Sequence, residues 1–238
     1  MKTTSIVFVP GLLCSGDLYL PQIAALEIDC RIADTLTDAS ITQMAERLLA
    51  TAPAEFILCG LSMGGYVALE VMRQQPHRVR GLALMATSAD PDTAEQTERR
   101  RRLISLARRD GVGTVARLLA ERLFGPSARS DARLQRLAVE MAEAVGPEAF
   151  VRQQEAIIAR LDQTGLLSSI AVPTEILAGT ADEIIAPQRS REMAAAIPGA
   201  ALTMLEGIGH MVSLEAPEVA TGALQRLLHA TSGRGAPE

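Results

Sequence analysis

Short apolar runs recur along the chain, separated by longer stretches with helical spacing. Ser5–Val9 (SIVFV), Glu55–Cys59 (EFILC), Gly81–Ala86 (GLALMA), Thr174–Ala178 (TEILA) and Ala201–Leu205 (ALTML) are continuous, and Cys30–Ala33 is a weaker run of the same kind. Apolar runs this short, without alternation, predict strands covered on both faces. Between them lie helical patterns. Ile41–Ala50 follows Ser40, an N-cap candidate, and Tyr66–Gln74 carries Val67, Leu69, Val71 and Met72 on an apolar side. Pro187–Ile197 opens with proline in its first turn and stops before Pro198-Gly199, and Pro217–His229 groups Val219, Leu224, Leu227 and Leu228. Strands alternating with helices predict an α/β fold: a mostly parallel sheet, right-handed crossovers and helices on both faces.

The alternation breaks between residues 90 and 167, where only helical patterns occur. Leu118, Leu119 and Leu123 fit one helix; Leu134, Leu137, Met141 and Val145 fit a second; Phe150, Ile157, Ile158 and Leu161 fit a third. The expected organisation is a core formed by residues 1–89 and 168–230, a small all-helical cap inserted at 90–167, and a disordered tail at 231–238 (TSGRGAPE).

Candidate chemistry gathers at the ends of the strand runs. Gly60-Leu61-Ser62-Met63-Gly64-Gly65 directly follows EFILC and directly precedes a helical pattern. This is G-x-S-x-G in strand–turn–helix context, where glycines two before and two after the serine let a very sharp turn project its hydroxyl. A serine hydroxyl needs a base within reach. Of the chain's 3 histidines, His210 lies in a glycine-flanked loop after ALTML, at the same sheet edge as Ser62; His77 reads as a surface turn and His229 as a solvent-facing helical residue. The carboxylate that orients the imidazole is expected to be Asp182, in the loop after TEILA, with Asp90 and Asp92 as competitors. Two backbone N–H groups should hold a developing oxyanion: that of Met63, after the nucleophile, and that of Leu12, in the loop Pro10–Cys14.

Composition narrows the picture further. The chain has 238 residues, 48% hydrophobic, with a formal net charge of −5, which fits one large domain and excludes wholesale disorder. A mildly acidic chain lacks the basic face that nucleic acid requires. Aromatic residues make up only 3%, with no Trp, so the core and any pocket are aliphatic, and Leu13, Met85, Leu119 and Leu123 are the expected lining. The 3 cysteines lack the spacing of a disulfide framework or a metal pair, and the histidines lack ligand spacing, so neither a metal nor another cofactor is expected. Lys2 followed by an apolar run ending at Cys14 resembles a lipoprotein signal, but Pro10-Gly11 interrupts the run and Leu13 stands where a small residue belongs. No run reaches the roughly 18–20 residues of a membrane span, and a cytoplasmic location is expected. Glu98-Arg99-Arg100-Arg101-Arg102 reads as a solvated helix face; its sharper reading is a basic entrance for an acidic substrate, such as an acyl group on a carrier protein.

These motifs resemble those of the α/β-hydrolases. The resemblance runs from PGLLCSG through GLSMGG and GTADEIIAP to GIGHMVSLEAPE, nearly the whole chain, in the order Ser62, Asp182, His210. It implies an α/β-hydrolase fold, without the two N-terminal strands of the longest members, and a serine hydrolase of the small-cap carboxylesterase or enol-lactonase kind, cleaving a small aliphatic acyl ester, thioester or lactone. The same triad serves C–C bond hydrolases, acyltransferases and haloperoxidase-like enzymes, and a non-catalytic binding protein on this scaffold is a further alternative. One departure stands out: the oxyanion loop, usually His-Gly in the family, reads Pro10-Gly11.

Overall fold

Residues 4–232 are described by a computed structural model. Its strands are β1 (Ser5–Val9), β2 (Cys30–Ile32), β3 (Phe56–Leu61), β4 (Val79–Met85), β5 (Thr174–Gly179) and β6 (Ala201–Leu205). They form one six-stranded, all-parallel sheet in the order β2-β1-β3-β4-β5-β6. The helices are α1 (Leu20–Leu26), α2 (Ile41–Thr51), α3 (Met63–Gln74), α4 (Ala94–Asp110), α5 (Val112–Leu123), α6 (Ala132–Ile158), α7 (Pro187–Ala196), α8 (Val212–Glu215) and α9 (Pro217–Ser232).

The continuous apolar runs serve two cores because successive side chains alternate across the sheet. Val7, Val9, Phe56, Leu58, Leu82, Leu84 and Ile176 face α2, α3 and α7. Ile6, Phe8, Ile57, Cys59, Ala83, Met85 and Leu177 face α1, α8 and α9. The register aligns the strand ends: Val9 pairs with Gly60, Leu61 with Met85, Met85 with Leu177, and Gly179 with Leu205. The loops after β1, β3, β4, β5 and β6 therefore leave the sheet at one edge.

Several boundaries differ from the sequence reading. Ser40 does cap α2, accepting from the Gln43 N–H at 3.1 Å. Thr231 and Ser232, expected in a disordered tail, lie in α9 instead, and the Thr231 hydroxyl donates to the Leu227 carbonyl at 2.9 Å. The rest of that expectation, 233–238, lies outside the described residues. The second and third helical patterns of the 90–167 stretch are the two halves of α6, broken at Gly146, whose φ of 77° is left-handed, followed by Pro147. Leu161, expected on the third helix, falls beyond it and is exposed.

Helices α4, α5 and α6 bury a small cluster of their own: Ala107, Val112, Val115, Ala116, Ala142, Val145, Ala149 and Phe150. Leu13, from the loop after β1, is part of it. A buried charge cluster ties this helical segment to the rest. Asp92 pairs with Arg100 at 2.6 Å and Arg160 at 2.5 Å, and the Arg160 guanidinium lies 4.3 Å from the Tyr66 ring centroid on α3. Planar guanidinium groups suit such sites because they stack on rings and donate along several directions at once.

Candidate active site

Ser62 sits between β3 and α3 with φ 56° and ψ −117°, a conformation uncommon for a residue with a side chain. Three contacts hold the turn. The Ser62 N–H donates to the Met85 carbonyl at 2.9 Å; the Ser62 carbonyl accepts from the Gly65 N–H at 2.9 Å and from the Thr87 hydroxyl at 2.8 Å. The glycines are required by close approach: a Cβ on Gly60 would run into the Gly64 carbonyl, and a Cβ on Gly64 into the Val9 carbonyl. Met63 opens α3 with its side chain in the core, so its backbone N–H stands at the N-terminus of the helix.

His210 and Asp182 meet at this edge. The imidazole Nδ1 lies 2.7 Å from Asp182 Oδ2, and both side chains are almost fully buried, at 3% and 1% exposure. Asp182 Oδ1 accepts from the N–H groups of Ile184 and Ile185 at 2.8 and 2.9 Å. A carboxylate so engaged is an acceptor throughout, which puts the Nδ1 proton between ring and carboxylate and leaves Nε2 as the free base. The competing carboxylates are engaged elsewhere: Asp92 in the arginine cluster and Asp90 with Arg189 at 3.4 Å. His77 and His229 are exposed, the latter 2.7 Å from the Gln225 carbonyl.

The His210 loop is held on both flanks. Glu215 Oε2 accepts from the Gly125 N–H at 2.7 Å and the Gly209 N–H at 3.1 Å, while Oε1 accepts from the Met211 N–H at 3.1 Å. The carbonyl of Leu123, the last residue of α5, accepts from the N–H groups of His210 at 2.8 Å and Met211 at 3.3 Å. Burial pushes the Glu215 carboxyl above its ordinary value, against the opposing pull of the three N–H donors. Sequence reasoning assigned Glu215 no role; its five-residue offset from His210 in GIGHMVSLEAPE was the available signal.

Ser62 and His210 both line a cleft of about 1040 Å³, counting its open mouth. Leu12, Leu13, Leu119 and Leu123 line it, with Leu103, Ala116, Met141, Ile157 and Ile185 adding more aliphatic wall. Met85, expected on that wall, is not part of it: it is fully buried in the core, on the sheet face it shares with Ala83. The charged lining groups are Arg99, Arg100 and Arg122. Of the Arg99–Arg102 run, Arg101 and Arg102 point to solvent, and Arg100 is turned inward onto Asp92 and the side-chain Oε1 of Gln154. The thiol of Cys14 also lines the cleft, and burial pushes its pKa up to about 12, so it is a neutral wall group.

An all-parallel sheet with a serine on a strained strand–helix turn, and a histidine and a carboxylate on later loops of the same edge, defines the α/β-hydrolase class. Comparison with known proteins agrees. A family model described as "Serine aminopeptidase, S33" matches residues 31–217. The chain belongs to this family of α/β-hydrolases and is an enzyme of the hydrolase class. It is 28% identical over 251 residues to a putative carbamate hydrolase RutD of Rhizobium rhizogenes, covering 96% of this chain and 94% of the relative. It is 32% identical over 197 residues to a pimeloyl-[acyl-carrier protein] methyl ester esterase of Stenotrophomonas maltophilia, covering 77% and 72%. Among solved structures, a thermophilic esterase from Thermogutta terrifontis with malate bound superposes with a TM-score of 0.86 at 28% identity, covering 96% of this chain and 90% of that one. The enol-lactonase from Burkholderia xenovorans LB400 superposes with a TM-score of 0.85 at 24% identity, covering 96% and 92%. No helix among the described residues is long and apolar enough to cross a membrane.

Proposed function

We propose that the protein hydrolyses carboxylic esters of small aliphatic acids through an acyl-enzyme on Ser62, with His210 as base and Asp182 as its orienting carboxylate. The observation that carries this reading is the buried 2.7 Å contact between His210 Nδ1 and Asp182 Oδ2, with His210 facing the same cleft as Ser62. Ser62 Oγ attacks the acyl carbon as His210 Nε2 takes its proton. The N–H groups of Leu12 and Met63 hold the carbonyl oxygen while it is negatively charged. The tetrahedral adduct then collapses, and the alcohol leaves with the proton from His210. Water, deprotonated by the same imidazole, attacks the acyl-enzyme, and the acid departs as Ser62 recovers its proton.

The mostly aliphatic lining, in which the ring of Tyr66 is almost fully buried with the Arg160 guanidinium 4.3 Å from its centroid, favours an unbranched or branched acyl chain over a stacked ring. Residues 90–167 act in this reading as a cap over the mouth. Arg99, paired with Glu95 at 3.3 Å, and Arg122, which shares Glu183 with Arg129, bring guanidinium groups to that mouth that suit a substrate with an acidic portion, and the acyl-carrier ester named for one relative makes a carrier-bound acyl group a concrete example. The test is turnover of p-nitrophenyl esters from acetate to dodecanoate, with fluorophosphonate labelling, for wild type beside Ser62→Ala. Labelling and turnover that both vanish in Ser62→Ala support the reading; an unlabelled, inactive wild type removes it. The acidic-substrate component predicts that kcat/KM for a carrier-linked ester falls with added salt and in Arg99→Ala/Arg122→Ala; insensitivity to both removes that component alone.

A further inference from the structure

We propose that Gln153, on α6, is a positioning residue for the oxyanion loop, so that the helical segment between β4 and β5 fixes the geometry of a backbone donor on the sheet. The inference rests on the oxyanion role of Leu12 proposed above. Leu13 follows Leu12 with φ 59°, left-handed for a residue that carries a branched side chain. Such a conformation persists only where its surroundings hold it. Here the surroundings come from α6. The buried N–H of Leu13 donates to Gln153 Oε1 at 3.1 Å, across 140 residues of sequence. Gln153 is fully buried, and its Nε2 donates in turn to the Thr35 carbonyl at 3.2 Å.

The two contacts demand an acceptor on one side of the amide and a donor on the other, which a glutamine supplies in a single orientation. The Leu13 side chain belongs to the same arrangement, since it packs in the α4–α6 cluster, against residues such as Phe150, and not in either sheet core. The Leu12–Leu13 peptide plane is therefore held at the N–H by Gln153 and through the side chain by the helices. The N–H proposed to face the oxyanion belongs to the preceding Gly11–Leu12 plane, joined to this one at the Leu12 Cα, so the aim of that N–H is kept only while the clamp stops the loop from relaxing about the Leu12 Cα. Without its acceptor, the buried Leu13 N–H would be left unpaired, and the loop would turn to find a partner.

The test uses the full-length enzyme with Gln153→Met, which keeps the volume and removes the acceptor, and Gln153→Glu, which keeps an oxygen toward Leu13. Measurements are kcat and KM on a p-nitrophenyl ester, the second-order rate of fluorophosphonate inactivation, and Tm. Misplacing a donor without deleting it predicts a loss of about 10- to 100-fold in kcat. KM should stay within about threefold, the inactivation rate should fall in parallel with kcat, and Gln153→Glu should recover part of both. A folded Gln153→Met with wild-type kcat overturns the proposal, as does a lowered Tm with unchanged kcat per folded molecule. If Gln153→Met does not fold, Gln153→Glu decides: with its acceptor kept, activity well above that of a donor-deleted site supports the clamp, and activity lost together with unchanged Tm overturns it. A wild type without Ser62-dependent turnover overturns the parent reading and this one with it, whereas an active wild type with an indifferent Gln153 overturns this one alone.

Discussion

Replacing Asp182 by Asn tests the proposed catalytic arrangement with little disturbance of the fold, and the structure sets the expected size. Asp182 Oδ1 accepts two backbone N–H bonds, from Ile184 and Ile185, and Oδ2 accepts from His210 Nδ1. An asparagine has one oxygen and one NH₂. Keeping its oxygen on the two N–H groups preserves two bonds out of three, so that orientation wins. The NH₂ then faces Nδ1 and donates to it, which drives the imidazole proton to Nε2. An Nε2–H imidazole cannot accept the Ser62 proton. A tautomer error of this kind costs about 10,000-fold in kcat. That is about 5.4 kcal/mol of barrier, at about 1.36 kcal/mol per factor of ten. The assay is turnover of a short-chain p-nitrophenyl ester against Ser62→Ala as background, with Tm from thermal unfolding. Tm should move by only a few degrees, because the backbone contacts survive. An Asp182→Asn enzyme retaining a tenth or more of wild-type kcat would refute the tautomer argument, and a comparable loss in Asp90→Asn would move the carboxylate assignment to that residue.

Other expectations concern packing and charge. Gly64→Ala should yield little folded protein, because its Cβ meets the Val9 backbone, whereas Gly222→Ala on α9 meets nothing closer than the far end of Arg226 at 3.7 Å and should stabilise by about 0.5–1 kcal/mol; equal behaviour of the two in thermal unfolding would contradict the steric account. Met85→Ala should cost about 2–5 kcal/mol by opening a core cavity while leaving the preferred acyl length unchanged, and Leu119→Ala should shift that preference to longer esters. Burial pushes the Glu70 carboxyl up, but hydrogen bonds from Arg73 and Gln74 more than offset this, and its pKa lies below the ordinary 4.5. A depressed carboxyl contributes stability above its ordinary value and loses it as pH falls through the folded one. The Tm advantage of wild type over Glu70→Gln should therefore shrink as pH is lowered below 4.5, and a constant gap would contradict this sign.

What the chain discloses before folding depends on how local the determinant is. A strand buried on both faces has to be apolar at every position, so SIVFV and EFILC stand out without any partner in view. The strained serine turn needs its glycines within two residues, and the loop ends after β5 and β6 follow from the strands themselves, which is why Ser62, Asp182 and His210 could be named together. Side-chain direction was less accessible. A continuous run hides how deeply each residue is covered, and Met85 lies fully buried in the core and not on the cleft wall for that reason. The contacts of Gln153 and the pairing of Asp92 with Arg160 join segments far apart in sequence, and a glutamine in mid-helix carries no local mark of a buried partner. The kink at Gly146-Pro147 was visible as residues but divided a helix whose two halves share one cluster.

The two bonds that the Leu123 carbonyl accepts from the His210 loop, with the Gly125 N–H bonded to Glu215, have a bearing on how this scaffold diversifies. Helical segments over α/β sheets invite treatment as exchangeable modules, grafted from one relative to another to change selectivity. Here the seam of such a graft cannot run through the end of α5. A chimaera that replaces the helices but restores Leu123, Phe124 and Gly125 from this chain keeps the acceptor for the His210 and Met211 amides and the donor for Glu215. A replacement whose backbone leaves this path loses that support along with the pocket wall, and a side chain at position 125 would run into the Gly207 carbonyl. Engineering of the segment should therefore treat the backbone path of those three residues as part of the core.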